Sequence, residues 1–305
     1  MKLLIILLPT VDSFVPGISM FDSLELQQIM KLLATVDQDE YKTAMPKFDC
    51  SDPKSYWVFK NEDFLPWDSA ASSRLLWLLG PPECGLSRIA STVVDREINA
   101  TDKSGRACVQ HLVLHFCCVE SNVSPKLIAR SLLYQIFCSL PPLELRAALT
   151  VFLRPLLEEI QRKAIKHRCT KKTDRDSTET GACKWPFQEA DPPCETLKTV
   201  FDWSSSRGYW QALKAVFDSG CRQISIILDM VNRIKFLEND PLPNNAPEVP
   251  EPISSVEAFL GCLQMETCKV KVLLTSDLNV GPSLEGVRQA QGVTFIEYDA
   301  ERKGF

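Results

Sequence analysis

Five short apolar runs limit what this chain can fold into: Leu75 to Leu79, His111 to Cys117, Gln223 to Leu228, Lys269 to Leu274 and Val293 to Tyr298. Their apolar character is nearly continuous rather than alternating, which predicts strands covered on both faces. Segments of helical period lie between most of them. Ser87 to Asn99 follows the first run, and Gly208 to Gly220 precedes the third. After the second run, Ser124 and Pro125 form a cap and first-turn signal for a helix over Lys126 to Leu140. Leu143 to Ile165 and Ser255 to Leu263 also read as helices. Strands alternating with helices predict an α/β fold with three αβα layers: a mainly parallel five-stranded sheet with helices on both faces. In such sheets ligands bind at the carboxyl ends of the strands. Function is therefore sought just after Leu79, Leu228 and Leu274.

With 305 residues and 45% hydrophobic content, the chain can bury a sizeable core. A net charge of −5, spread along the sequence, offers no basic face, so nucleic acid is not an expected partner. The twelve cysteines include no CxxC pair and suit reduced, buried thiols, hence a cytoplasmic setting. No stretch approaches the roughly 20 apolar residues of a membrane span. The apolar run Leu3 to Leu8 is short for a signal-peptide core and equally suits a strand or helix start. A secreted protein on a repurposed fold therefore stays open as an alternative.

Residues 1–50 read as a helical lead-in and 51–300 as the main domain. Two segments interrupt that domain. Residues 166–194 are charged and nearly free of aliphatics, which predicts a flexible insertion. Residues 239–252 form a proline-rich acidic loop.

Each of the three strand ends carries chemistry. "LLWLLGPPECGLSR" places Gly80, Gly85 and Ser87 between a strand and a helix, the context of a phosphate-binding loop. "ISIILDMVNRI" ends a strand at Asp229, a position that either holds Mg²⁺ or simply caps a turn. "KVKVLLTSD" stops a strand at Thr275 and Ser276, hydroxyls suited to a phosphate, a water or a turn. His111, His115 and Cys117 share one strand face, which fits either zinc or core packing.

These motifs resemble the fungal NACHT-type P-loop proteins of the STAND class, relatives of the NOD-like receptors. The resemblance spans roughly residues 50 to 285, through "SYWVFKNEDFLPWDSAASSRLLWLLGPPECGLSR", "IILDMVNRI" and "KVLLTSD", with Trp57, Trp67 and Trp77 matching the tryptophan-bearing lead-in. It implies a P-loop NTPase sheet, a nucleotide cradle over Gly80, Pro82, Glu83, Gly85, Leu86, Ser87 and Arg88, and Mg²⁺ held by Asp229 with Ser87. It implies sensor-like residues at Ser276 and Asp277 and an acidic pair where Asn232 and Arg233 stand. The chain departs from that pattern at several of these positions. Glu83 replaces a glycine, Leu86 the lysine, Asp277 an arginine, and Met230 a small residue.

The departures at Glu83, Leu86 and Asp277 push one way. A P-loop holds phosphate by backbone N–H groups, a helix N-terminus and the lysine charge. Losing a charge pair from a desolvated site costs about 2 to 5 kcal/mol, against about 8 kcal/mol for a micromolar ligand. Without the acidic pair no group orients or deprotonates a hydrolytic water. The expected function is a catalytically disabled NACHT-like scaffold for unknown protein partners in signalling, a pseudo-NTPase. The alternative is a weak ATP- or GTP-binding switch, with Mg²⁺, that does not hydrolyse efficiently.

Overall fold

A computed structural model of the chain describes residues 23–34, 57–69, 74–103, 111–118, 123–173, 200–202, 204–219, 223–234, 269–278 and 293–298. In chain order the strands are β1 (Arg74–Leu79), β2 (His111–Cys117), β3 (Gln223–Asp229), β4 (Lys269–Ser276) and β5 (Val293–Glu297). They form one sheet in the order β2-β3-β4-β1-β5, and every neighbouring pair is parallel. The helices are α1 (Ser23–Leu33), α2 (Phe64–Asp68), α3 (Leu86–Lys103), α4 (Pro125–Ser139), α5 (Pro142–Thr173) and α6 (Ser206–Ser219).

Strand parity divides the core in two. Leu75, Trp77, Leu79, Leu114, Phe116, Ile226, Val272 and Leu274 face α1, α4, α5 and α6. Leu76, Leu78, Ile227, Leu273 and Ile296 face α3 and the lead-in residues Val58, Phe64 and Trp67. The central strands β1, β3 and β4 therefore bury both faces, which is why their runs lack alternation, whereas β2 is only half-buried on one face and β5 exposes Thr294 and Glu297. The three-layer α/β architecture follows directly.

Local chemistry sets the helix starts. Ser124 accepts the Leu127 N–H at 3.1 Å, and Pro125 needs no donor partner in the first turn. At the start of α6, the buried Glu159 of α5 accepts the Ser205 N–H at 3.1 Å. A carboxylate there suits the positive end of the helix dipole.

Two sequence expectations are corrected. β4 does not stop at Leu274, because Thr275 and Ser276 continue the ladder opposite Leu78 and Leu79 of β1. α5 runs to Thr173, past Ile165 and eight residues into the expected flexible insertion 166–194. Lysine and arginine are good helix formers, so "KHRCTKKT" prolongs a helix already anchored by buried Leu149, Phe152 and Leu156. Pro155 lies inside the same helix without ending it. The remainder of the insertion, the proline-rich loop 239–252, the helix expected over Ser255 to Leu263 and the run Leu3 to Leu8 lie outside the described residues.

A buried polar cluster pins α3 to the amino-terminal half of the sheet. Lys271 of β4 donates to Glu97 Oε1 at 2.9 Å and to the Asp68 carbonyl at 3.2 Å, and lies 5.2 Å from the Trp67 ring centroid. Ser225 Oγ of β3 donates to Glu97 Oε2 at 2.7 Å, and His111 Nε2 of β2 lies 2.8 Å from that hydroxyl and 3.2 Å from Glu97 Oε2. Burial holds the His111 pKa below its ordinary value, against the pull of Glu97 and aided by Lys271. The unfolded chain thus takes up the proton first as pH falls. The stability that neutral His111 contributes is full above about pH 6.5 and is lost as pH falls through that value. Urea midpoints should therefore drop more steeply between pH 7.5 and 5.5 for the wild type than for His111→Gln, with a slope difference of at most about 1.4 kcal/mol per pH unit.

Candidate functional site

The strand order sets the ends of β3, β4 and β1 side by side. The loop after β1 begins at Gly80, whose N–H donates to the Ser276 carbonyl at 3.2 Å. A Cβ on Gly80 would sit 2.4 Å from Cys84 Sγ and 3.0 Å from Tyr298 Cβ, so only glycine fits. Pro82–Cys84 forms one 3-10 turn, closed by the Cys84 N–H on the Pro81 carbonyl at 3.0 Å. Gly85 has φ 81° and ψ 22°, the left-handed conformation that turns the chain into α3.

This loop offers fewer donors than a phosphate cradle. Pro81 and Pro82 have no N–H, and those of Gly80 and Cys84 are spent within the fold. The Leu86 N–H faces the Cys84 sulfur, whose pKa burial raises to about 11 while that amide pulls it down. Leu86 itself is only 3% exposed and packs in the apolar cluster beneath the loop, with Cys84, Ile89 and Leu78. Ser87 and Arg88 occupy the first turn of α3, half-buried, and the Glu83 side chain lies outside the described residues.

Asp229 ends β3 and is 4% exposed. Cys117, Asp229 and Thr275 lie abreast on three neighbouring strands, because β2 and β3 pair Cys117 with Asp229 and the β3–β4 register ends at Leu228 and Leu274. Both carboxylate oxygens accept bonds: Oδ1 from the Thr275 hydroxyl and Oδ2 from the Cys117 thiol at 3.2 Å. Burial pushes the Cys117 thiol upward, and the Asp229 charge adds to that. Thr275 Oγ1 also accepts the Met230 N–H at 2.9 Å and so fastens the turn. Met230 has φ 61° and ψ 48°, a left-handed conformation that a longer side chain adopts only at a cost.

Beyond that turn, Asn232 and Asp277 close on each other. Asn232 Nδ2 donates to Asp277 Oδ2 at 2.9 Å, and the Asp277 N–H donates to Asn232 Oδ1 at 3.3 Å. Arg233 turns the other way, donating through Nη1 to the Cys118 carbonyl at 3.3 Å, on the β2 side of β3. Ser276 faces the opposite side of the sheet from Thr275. Its hydroxyl accepts the Trp77 indole N–H at 2.8 Å and donates to the Asp277 carbonyl at 3.1 Å.

The structure thus gathers Asp229, Thr275, Asn232 and Asp277 at one crest and sends Arg233 and Ser276 elsewhere. A Mg²⁺ ion held by Asp229 and Ser87 would share the carboxylate with the Thr275 hydroxyl and the Cys117 thiol. Among the described residues no three His, Cys, Asp or Glu side chains converge to hold a metal ion. His111 and Cys117 instead bond to Ser225 and Asp229. The sequence reading missed Cys84 and Tyr298 as shapers of the site, and placed Cys117 with the histidines of its strand rather than with Asp229. Cys84 lies against the loop, Tyr298 closes it through its N–H on the Leu79 carbonyl at 2.7 Å, and Cys117 grips Asp229. Cys84 lies within the quoted loop, but only the register shows the other two. No described helix is long and apolar enough to cross a membrane.

No curated protein matches this chain. A family model described as Nephrocystin 3, N-terminal, matches residues 55–183, from the lead-in through β1, the glycine loop, α3, β2, α4 and α5. That family is a NACHT-associated N-terminal region, so the first half of the candidate site carries a NACHT-like likeness of its own.

Proposed function

We propose that the chain is a NACHT-like P-loop module, of the kind found in fungal STAND proteins, that serves as a scaffold for protein contacts in signalling and does not hydrolyse nucleoside triphosphates. One observation carries this reading. Where the resembling proteins place a lysine for the outer phosphates, Leu86 is folded into the apolar cluster under the loop. The rest of the crest supports it. Asn232 is an amide, with no basic group for a water at neutral pH, and its hydrogen bonds are turned onto Asp277. Arg233, the other position of the acidic pair, is a cation directed at Cys118.

A second reading, a weak ATP- or GTP-binding switch, draws support from the backbone alone. Gly80 and Gly85 keep the tight approach and the left-handed turn of a phosphate loop, and Ser87 keeps the hydroxyl that would accompany Asp229 at Mg²⁺. Thermal unfolding with 5 mM Mg-ATP or Mg-GTP, roughly a thousand times a tight site's dissociation constant, separates the two. The scaffold reading expects a midpoint shift under about 1 °C. A millimolar site still gives RT ln(1 + [L]/Kd) of about 1 kcal/mol, or roughly 2 to 4 °C, and that outcome favours the switch.

A further inference from the structure

α5 ends in a run that the sequence expectation placed in a flexible insertion, and the structure makes it helix as far as Thr173. Between Glu159 and Asp174 the chain holds no carboxylate, and within that stretch stand six cations: Arg162, Lys163, Lys166, Arg168, Lys171 and Lys172. The formal charge of −5 for the whole chain becomes −11 without these six. Charge is therefore not spread evenly along the sequence, as first expected, but divided between one basic helix end and an acidic remainder.

The helix fixes where those cations stand. At about 100° per residue, with Arg162 as reference, Lys166 stands about 40° round the axis, Lys163 about 100°, Lys171 about 180°, Arg168 about 240° and Lys172 about 280°. Every quadrant carries a cation, along about 15 Å of axis. Residues three and four apart are helical neighbours, and here Arg162 with Lys166, Lys163 with Lys166, and Arg168 with Lys171 and Lys172 are all like-charged. Within α5, Lys166, Arg168, Lys171 and Lys172 have no carboxylate at that spacing. Such a helix end repels itself, and a bound polyanion relieves the repulsion.

The placement selects among polyanions. A membrane surface meets one side of a helix and favours an apolar stripe there, but from Arg162 to Lys172 the apolar residues are Ala164, Ile165 and Cys169 alone. An acidic peptide laid along the helix would also meet one side. Single-stranded nucleic acid asks for aromatic platforms, and the run has none. An RNA duplex has a major groove too narrow for side chains to read. B-form DNA has a major groove about 12 Å wide, which admits an α-helix and lines it with phosphates on both flanks, so cations on opposed faces are all used.

We infer that the end of α5, Arg162 to Lys172, binds the phosphate backbone of duplex DNA without sequence preference. Phosphate contacts hold a protein on the duplex but carry no sequence information. The inference is independent of what the loop after β1 does with nucleotide.

Fluorescence anisotropy of a labelled mixed-sequence DNA duplex with the full chain should give a dissociation constant of about 1 to 100 µM at roughly 100 mM salt. The slope of log K against log salt should be about −4 to −5, at about 0.9 per phosphate contact. The combined variant Lys166→Gln, Arg168→Gln, Lys171→Gln and Lys172→Gln keeps helix propensity, so its thermal midpoint should be no lower than that of the wild type. Its affinity should fall about ten-fold or more, and its slope should flatten by about 3. If that variant does not fold, Lys171→Gln with Lys172→Gln, in the last turn, carries the same readouts with about half the change in slope. A wild type without salt-dependent binding, or a folded variant that binds as the wild type does, overturns the inference. So does tighter binding to phosphatidylserine vesicles, which would make the helix end a membrane contact, or to polyglutamate, which would make it a dock for acidic protein.

Discussion

Replacing Lys271 with Met is expected to lower the unfolding free energy by about 3 to 5 kcal/mol, measured by urea denaturation at pH 7.5. Lys271 and Glu97 form a deeply enclosed ion pair, 2.9 Å apart, with side-chain exposures of 5% and 8%. Removing the ammonium leaves a buried carboxylate faced, among the described residues, by the Ser225 hydroxyl and His111. Trp67 loses the cation over its ring, worth roughly a further 0.5 to 2 kcal/mol. The double variant Lys271→Met with Glu97→Leu removes both charges and should recover most of the loss, because a buried ion pair and an apolar pair of similar volume are often close in stability. The signature is therefore a coupling energy of at least about 2 kcal/mol in the double-mutant cycle. A cycle near zero would mean that water reaches the pair and screens it. This cluster lies at the amino-terminal half of the strands, away from the loop after β1, so ligand responses at the loop should change little.

That cluster also marks the limit of what could be read from sequence. The central strands were legible because burial on both faces leaves continuous apolar runs, and the site location followed because parallel sheets offer ligands their carboxyl ends. Lys271 sits within such a run, "KVKVLL", and nothing local tells whether a lysine there points at solvent or at a carboxylate 174 residues away. Only the register decides, by setting Ser225 opposite Lys271 and bringing α3 across both. The same holds for Cys117, which reads as a zinc or core residue beside His111 and His115 until β2 and β3 pair it with Asp229. The last turns of α5, beyond Ile165, escaped the reading for a different reason. They carry no apolar stripe, and a periodicity argument ends where the stripe ends, although lysines and arginines extend a helix begun by others. Leu86 was legible as a lost charge. Its side chain's place in the cluster was not, and that changes what restoring the charge would do.

Leu86→Lys combined with Glu83→Gly is expected to lower the melting temperature by about 5 to 10 °C in the absence of nucleotide. Burying Leu86 contributes roughly 2 to 3 kcal/mol, and each kilocalorie corresponds to about 2 to 4 °C in a chain of this size. A lysine at this site must either take its ammonium out of the cluster along its own methylenes or find an anion at the loop. A polyphosphate is such an anion, and it would meet the start of α3 at the same point. Millimolar Mg-ATP should therefore return much of the lost stability to the double variant while leaving the wild type nearly unmoved, both followed by differential scanning fluorimetry. That contrast would show that the backbone of the loop, with Gly80 tight against Cys84 and Gly85 left-handed, still has the form of a cradle and that the missing cation is what closes it to nucleotide. If the double variant is destabilised but stays blind to Mg-ATP, the lesion lies in the backbone, where two prolines and the bonds of Gly80 and Cys84 leave fewer donors for a phosphate. A wild type that responds to Mg-ATP as strongly as the variant would instead remove the argument for a scaffold, since the burial of Leu86 would then have cost the site nothing.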